Sequence, residues 1–416
     1  MKILHIAAHM GGGIGSAYAG LGTCAQQQTV LILEKPIDLD SLSNVEAEGF
    51  RIVAQPGADQ LRYELEQADI VVFSWSHHPA LTELMVKFPD VQIRSGLWCH
   101  VSGNYFPHIY PEFLRKFDNA MFATPFSLSL PQVRELGNDY IEEHFGVVYG
   151  LGDLTRFAKV DGEPHDKFVI GYVGTHGFCK LHPDFVEFCA AVDILNVEFA
   201  MVGTPSTKDE ILKAADHFGI ADRFTFYGQV ADVPSMLSKM DVFSYLLNPQ
   251  HFGATENALL EAMATGLPVI ALDQCVESVI IKHEKTGLLV DSPQSYGKAV
   301  RRLFEDKNLS ARLGKSARED VLQRFEISAN RKRFIDVCQR GMNMQKKIHG
   351  FSGFFGETPA DWFLSCVGTD RSCFLENRVK AAGLIFHEPT KGSPQHYHAY
   401  FPEDDSLASW AGQGKE

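Results

Sequence analysis

Strand-sized apolar runs alternate with helix-length amphipathic stretches along most of the chain, a pattern that predicts parallel sheets with crossover helices and an α/β class. The first series of predicted strands runs Lys2 to Ala7, Thr29 to Leu33, Gly49 to Val53, Ile70 to Phe73, Gln92 to Leu97 and Asn119 to Ala123. Residues 151 to 166, with Gly152, Gly162 and Pro164 among charged side chains, interrupt the pattern and place a domain boundary there. A second series follows at Phe168 to Val173, Val197 to Val202, Arg223 to Tyr227, Val242 to Leu246, Pro268 to Ala271 and Gly287 to Val290. Helical patterns at Ser295 to Glu305 and Asn308 to Arg324 precede a longer one at Ser328 to Met344. The expected organisation is a doubly wound domain over 1–160, a second over 165–327, a helix crossing back over 328–345, and an extension over 346–416. Open α/β sheets bind ligands at the carboxyl ends of their strands, so the site is expected where two such domains face each other. The extension carries Phe351, Phe354, Phe355, Trp362 and Phe363. Aromatics of that number are costly to leave in water, which places part of the extension against a domain, the first being expected.

Composition narrows the classes. With 45% hydrophobic and 22% charged residues, the chain reads as ordinary globular protein. It has no apolar run long enough for a membrane span, and its N-terminus enters a strand directly without the apolar core of a signal peptide. A cytoplasmic protein is expected. The eight cysteines are scattered and none forms a C-x-x-C pair, so neither disulfides nor zinc are implied. A net charge of -14 argues against nucleic acid as partner and against broad attachment to anionic lipid. The basic cluster Arg331, Lys332, Arg333, Arg340, Lys346 and Lys347 leaves room for at most peripheral contact at the inner face of a membrane.

Four segments carry chemistry. In the stretch from His251 to Ile270, Thr255 is expected to cap a helix whose apolar face includes Leu259, Leu260 and Met263, and Gly266 and Pro268 end it. The first turn, with Asn257 and Ala258, offers free N–H groups and a positive dipole end to a diphosphate. Glu261, one to two turns in, is placed to accept both hydroxyls of a ribose. After the strand Phe168 to Val173, a loop brings Lys180 to the sheet edge, where an ammonium neutralises charge on a departing diphosphate. After the first strand, Gly11-Gly12-Gly13-Ile14-Gly15 lets backbone N–H groups approach a phosphate or sugar. That loop, with Glu34 ending the second strand, also fits an NAD-binding fold; but Gly11-x-Gly13-x-x-Ser16 lacks the third glycine, and the second domain is left unexplained. Finally, His100 ends a first-domain strand. His77 and His78 also end a strand but match no motif, and His396-x-His398 has ligand-like spacing without a third ligand and reads as surface sequence.

Leu260 to Val269 reads Leu-Glu-Ala-Met-Ala-Thr-Gly-Leu-Pro-Val, and further landmarks stand at Asp153 to Phe157, Phe226 to Val230, Asp241 to Phe243 and Thr286 to Val290. On these the chain resembles the retaining GT-B glycosyltransferases of glycosyltransferase family 4, glycosyl transferases group 1, over roughly residues 1 to 340. The resemblance implies two Rossmann-like domains facing across a cleft, the N-terminal one on the acceptor side and the C-terminal one binding a nucleotide-sugar. It implies transfer of a hexose from a UDP- or GDP-linked donor to a glycan, lipid-linked or small-molecule hydroxyl, as in polysaccharide biosynthesis, with retention and with neither metal nor other cofactor. It assigns His100 to the donor sugar and acceptor, Lys180 to the phosphates, and Gly12 and Gly13 to the donor loop. Two departures stand out. The family's first glutamate, eight positions before Glu261, is Gly253 here, which leaves Glu256 to stand in for it, and Thr175 occupies the place of a phosphate-binding arginine. These departures keep a catalytically weak nucleotide-sugar-binding protein open beside the NAD-dependent oxidoreductase.

Overall fold

The computed structural model describes residues 1–24, 26–35, 38–159 and 166–413, so Gly162 and Pro164 lie outside the described residues. The chain divides into two compact units, one of residues 1–152, 252–255 and 327–416, the other of 153–251 and 256–326. Among the described residues, no helix is long and apolar enough to cross a membrane.

The first unit is built on seven strands: β1 (Lys2–Ala7), β2 (Gln27–Ile32), β3 (Arg51–Ala54), β4 (Ile70–Trp75), β5 (Ser95–Cys99), β6 (Asn119–Phe122) and β7 (Phe145–Val147). They pair in parallel in the order β3-β2-β1-β4-β5-β6-β7. Parallel sheets are covered on both faces by their crossovers, which is why β4, Ile-Val-Val-Phe-Ser-Trp, is buried at every position. The order reverses between β1 and β4, and the loops that leave these two strands therefore diverge at their carboxyl ends.

The second unit repeats the plan with β8 (Phe168–Val173), β9 (Val197–Val202), β10 (Phe224–Gly228), β11 (Val242–Tyr245), β12 (Val269–Leu272) and β13 (Leu288–Val290). Their parallel order is β10-β9-β8-β11-β12-β13, with the reversal between β8 and β11. The helices Pro293–Glu305 and Lys307–Arg324 each start where an acceptor side chain stands: Ser292 accepts from Ser295 N–H and Asp306 from Leu309 N–H.

Strand β7 is absent from the expectation drawn from sequence. Its Phe-Gly-Val is too short to display a period and directly follows the polar helix Asn138–His144. Pairing with β6 makes it a strand, and Gly146 leaves room for the helix Ile327–Met342: a Cβ there would lie 2.5 Å from Val337. The C-terminal extension folds as short helices within the first unit. Its Phe351 ring meets Phe73, Phe88 and Phe117 at 5.4, 5.4 and 5.1 Å, and the carbonyl of Phe363 lies 3.1 Å from His77 Nε2. The basic cluster is largely engaged inside this unit: Arg331 donates to Gly20 O, Arg340 to Phe145 O and Lys346 to Ala68 O, while Lys347 pairs with Asp118 at 2.7 Å.

Candidate functional site

In the second unit the site is assembled from two loops at the carboxyl ends of the adjacent strands β8 and β11. Leu181 bridges Leu247, Asn248 N–H donates to Lys180 O, and His182 N–H donates to Leu246 O. This lacing fixes the backbone on either side of Lys180, whose Nζ lies 2.8 Å from Glu256 Oε2. The pair is recessed, with Lys180 19% and Glu256 1% exposed. Tyr245, the last residue of β11, donates its hydroxyl to the same carboxylate oxygen. His251 completes the cluster, with Nδ1 3.6 Å from Glu256 and Nε2 3.0 Å from Glu277. Burial acts to raise the pKa of Glu256; the Lys180 charge, His251, and the hydrogen bonds from Lys180 and Tyr245 outweigh it and hold the carboxyl below its usual range.

The helix Asn257–Thr265 starts next to this cluster, and its cap corrects the sequence reading. Thr255 does not cap it. Glu256 occupies the cap position in left-handed backbone, φ 54° and ψ 58°, with no side-chain cap bond. The Thr255 hydroxyl instead accepts from Gly150 N–H and donates to Ala123 O, each at 3.0 Å, so it serves the first unit's backbone. Buried polar backbone claims a hydroxyl wherever it is within reach. With the side chain of Glu256 turned to Lys180, no acid stands in the helix's first turn, where Asn257 and Ala258 are half-exposed. The positive dipole end thus has Glu256 at its cap, paired to Lys180, and no further acid in its first turn. Gly266 ends the helix at φ 87°, a conformation that costs side-chain-bearing residues.

Glu261 lies further along the same helix, with its side chain 21% exposed and Arg156 at 3.8 Å. Burial raises its pKa to about 7, against a smaller opposing effect of Arg156. Thr175 is exposed, and its carbonyl accepts from the Tyr172 hydroxyl at 2.9 Å. The second unit therefore holds Lys180, Thr175, Glu256, Asn257, Ala258 and Glu261 on neighbouring elements. Tyr245, His251 and Glu277 join them without any sequence signal, because a buried tyrosine, histidine or glutamate has no local pattern that distinguishes it from core or surface.

The other expected site residues belong to the first unit. His100 follows β5, packs on Trp98 at 4.5 Å between ring centres, and leaves Nε2 buried without a hydrogen-bond partner. Burial, then Lys391 and His9, lower its pKa to about 3, so the ring is neutral. Gly12 caps the helix Gly13–Leu21 at φ 60°, and its N–H is directed at the Asp38 carboxylate; Gly11 N–H donates to His9 Nδ1 at 3.0 Å. The glycine loop thus satisfies two of its N–H groups within the protein. The reading of His396 as surface sequence is corrected: it is half-buried, and one of its ring nitrogens lies within 4.8 Å of ligand atoms on Glu34 and His78.

With this geometry in hand, known proteins give a consistent comparison. The profile of the glycosyl transferases group 1 family matches residues 155–320. A lipopolysaccharide core biosynthesis glycosyltransferase, LpsD of Rhizobium meliloti, is 28% identical over 56% of this chain and 68% of its own length. An N-acetyl-alpha-D-glucosaminyl L-malate synthase of Bacillus anthracis is 28% identical over 45% of this chain, and this chain spans 48% of that relative's length. Among solved structures, Anabaena HepE in complex with UDP and glucose superposes with a TM-score of 0.66 at 16% identity, over 82% of this chain and 99% of that one. The lipopolysaccharide outer core galactosyltransferase WaaB does so with a TM-score of 0.59 at 16% identity, over 82% and 99%. At such identity the structural likeness speaks for the fold alone.

Proposed function

We propose that this chain, whose residues 155–320 match the glycosyl transferases group 1 profile and whose two parallel sheets have the GT-B fold, is a member of that family that transfers a hexose-type sugar from a UDP- or GDP-linked donor to an acceptor hydroxyl. The acceptor is a glycan, a lipid-linked glycan or a small molecule, the range that names of relatives such as LpsD and the L-malate synthase span. One observation carries the reading: Lys180 and Glu256 are paired at 2.8 Å beside a helix whose first turn carries no acidic side chain, with Glu261 further along that helix. In this reading the first-turn N–H groups and Lys180 take the donor's diphosphate, and Glu261 accepts from the ribose hydroxyls.

The finer chemistry is retention without a metal ion. The bond from the anomeric carbon to the phosphate oxygen breaks, and the acceptor oxygen forms the new bond on the same face. The acceptor's proton passes to the departing phosphate oxygen, and Lys180 with the helix dipole stabilises the charge left there. Glu256, held ionised and buried, orients Lys180. Thr175 in the position of the family's arginine favours a second reading, a protein that binds the donor with weak turnover.

Thermal-shift titration against UDP-, GDP- and ADP-hexoses and NAD, followed by an assay of donor hydrolysis, tests both. A shift with one sugar nucleotide and slow hydrolysis, unaffected by a chelator, is expected. A shift without hydrolysis or transfer favours the binding protein, and a shift with NAD alone overturns the transferase reading.

A further inference from the structure

The first unit contains a pocket of about 670 Å³ whose polar lining is His9, Glu34, Asp38, His78, Lys391 and His396. Three of these follow neighbouring parallel strands: His9 after β1, Glu34 after β2 and His78 after β4. The pocket thus opens at the carboxyl ends of the strands, beside the reversal of strand order, where open α/β sheets take ligands. The C-terminal extension supplies the other wall. Ser393 caps the helix Pro394–Tyr400 by accepting from His396 N–H. Gly392, at φ 77°, runs so close to the His78 loop that a Cβ there would lie 3.0 Å from His77 O. Lys391 and His396 are therefore carried by a segment seated against the sheet.

The imidazoles are oriented as donors. Gly11 N–H donates to His9 Nδ1 at 3.0 Å, Ala80 N–H to His78 Nδ1 at 3.3 Å, and Gly392 N–H to His396 Nδ1 at 3.0 Å. A neutral imidazole that accepts at Nδ1 carries its proton on Nε2. Burial is the largest cause, with neighbouring positive groups, that lowers the pKa of His9 to about 3 and of His396 to about 4, so both rings are neutral at physiological pH. Glu34, His78 and His396 stand close enough to hold a metal ion, but this arrangement opposes one: binding requires the Nε2 lone pair, and the Lys391 ammonium repels a cation.

Of the two carboxylates, Asp38 accepts from both the N–H and the hydroxyl of Ser41, while Glu34 stands 3.4 Å from His78 Nε2. On the donor side, His9 Nε2 is buried with no hydrogen-bond partner, and Lys391, surrounded by protein yet accessible, forms no hydrogen bond or ion pair among the described residues. An accessible ammonium without a partner on a cavity wall calls for an acceptor-rich ligand. We propose that this pocket binds the oxyanion, phosphate or carboxylate, of a hydroxylated acceptor molecule, with Lys391 holding it and the C-terminal extension forming its wall. The identification of the ligand as acceptor rests on the transferase reading; the oxyanion site itself does not.

Calorimetric titration of the full chain with glycerol 3-phosphate, in the absence of any sugar nucleotide, tests the site. Saturable binding is expected. Lys391→Met should weaken it about tenfold or more, the loss of one charge-assisted hydrogen bond, while Lys391→Arg retains most of it. Lys391 is accessible, so both variants should melt as the parent does, and the imidazole resonances of His9 and His396 should move on titration. A parallel arm uses phosphatidylcholine vesicles with and without phosphatidic acid. Binding to vesicles alone, lost in Lys391→Met, assigns the oxyanion to a lipid headgroup, and binding in solution assigns it to a soluble acceptor. No binding in either arm, or equal binding by parent and Lys391→Met, overturns the site. Lysine-dependent binding in a protein that hydrolyses no sugar nucleotide keeps the site and removes the transferase reading.

Discussion

Lys180 and Glu256 stand 76 positions apart, and their consequences for stability and for turnover separate by mutation. Removing one member of a buried ion pair leaves the other uncompensated, which costs about 3–5 kcal/mol. Lys180→Met should therefore lower both the denaturation midpoint and the rate of donor turnover. Adding Glu256→Gln should recover much of the stability and none of the turnover, and a double variant with restored turnover would remove Lys180 from the chemistry. Glu261 behaves in the opposite sense. Its folded pKa, about 7, lies above the ordinary 4.5, so the folded state holds its proton more tightly than the unfolded state does. Stability is thus lost as pH rises from about 4.5 to 7 and stays reduced above that, by roughly 1–3 kcal/mol for a shift of this size. Glu261→Gln should raise the melting temperature at pH 8, leave it unchanged at pH 4, and weaken the affinity for a UDP- or GDP-hexose. Unchanged donor affinity at pH 8 would take Glu261 out of the site.

At the scale of elements, the helix Asn257–Thr265 is defined less by its own caps than by what it packs on. Gly266, which ends it, faces Gly314 in the helix Lys307–Arg324, and a Cβ on Gly314 would lie 1.9 Å from Gly266 O. Alanine is the better helix former by about 1 kcal/mol. The clash with backbone outweighs that gain, and Gly314→Ala should destabilise by roughly 1–3 kcal/mol, measured as a lower urea midpoint. A stabilised variant would mean that the two helices separate freely. The same primacy of packing explains what the pattern of residues could not convey. Thr255 followed by an apolar helical face reads as a cap, and only the proximity of Gly150 N–H and Ala123 O diverts its hydroxyl. Strand β7 is defined by its pairing with β6, with Gly146 leaving room for Val337. By contrast, β8 and β9 have the ends expected from their apolar runs, because both are interior strands preceded by a polar residue, Lys167 or Asn196, and followed by a glycine, Gly174 or Gly203.

For the molecule as a whole, the extension is part of the first unit's interior. Phe351 and Phe355 are 1% exposed and Phe363 is fully buried, and their partners Phe73, Trp75 and Phe106 lie in or next to the sheet. A chain ended after residue 345 should expose these rings, precipitate or bind a hydrophobic dye, and lose cooperative unfolding; a soluble, cooperatively folding protein would show that the extension is dispensable for the fold. The sequence by itself determined the α/β class and most strands of both sheets, and it displays the motifs that match the glycosyl transferases group 1 profile, because hydrophobic periodicity and short motifs are local and survive without neighbours. Tertiary structure alone decided that Glu256 turns from the helix to Lys180, that Tyr245, His251 and Glu277 share its cluster, and that His9, His78 and His396 meet in one pocket. The physical reason is distance along the chain. Ion pairs, imidazole orientation and cavity walls depend on residues tens to hundreds of positions apart, and only the sheet order and the packing of the C-terminal segment bring them within a hydrogen bond of each other.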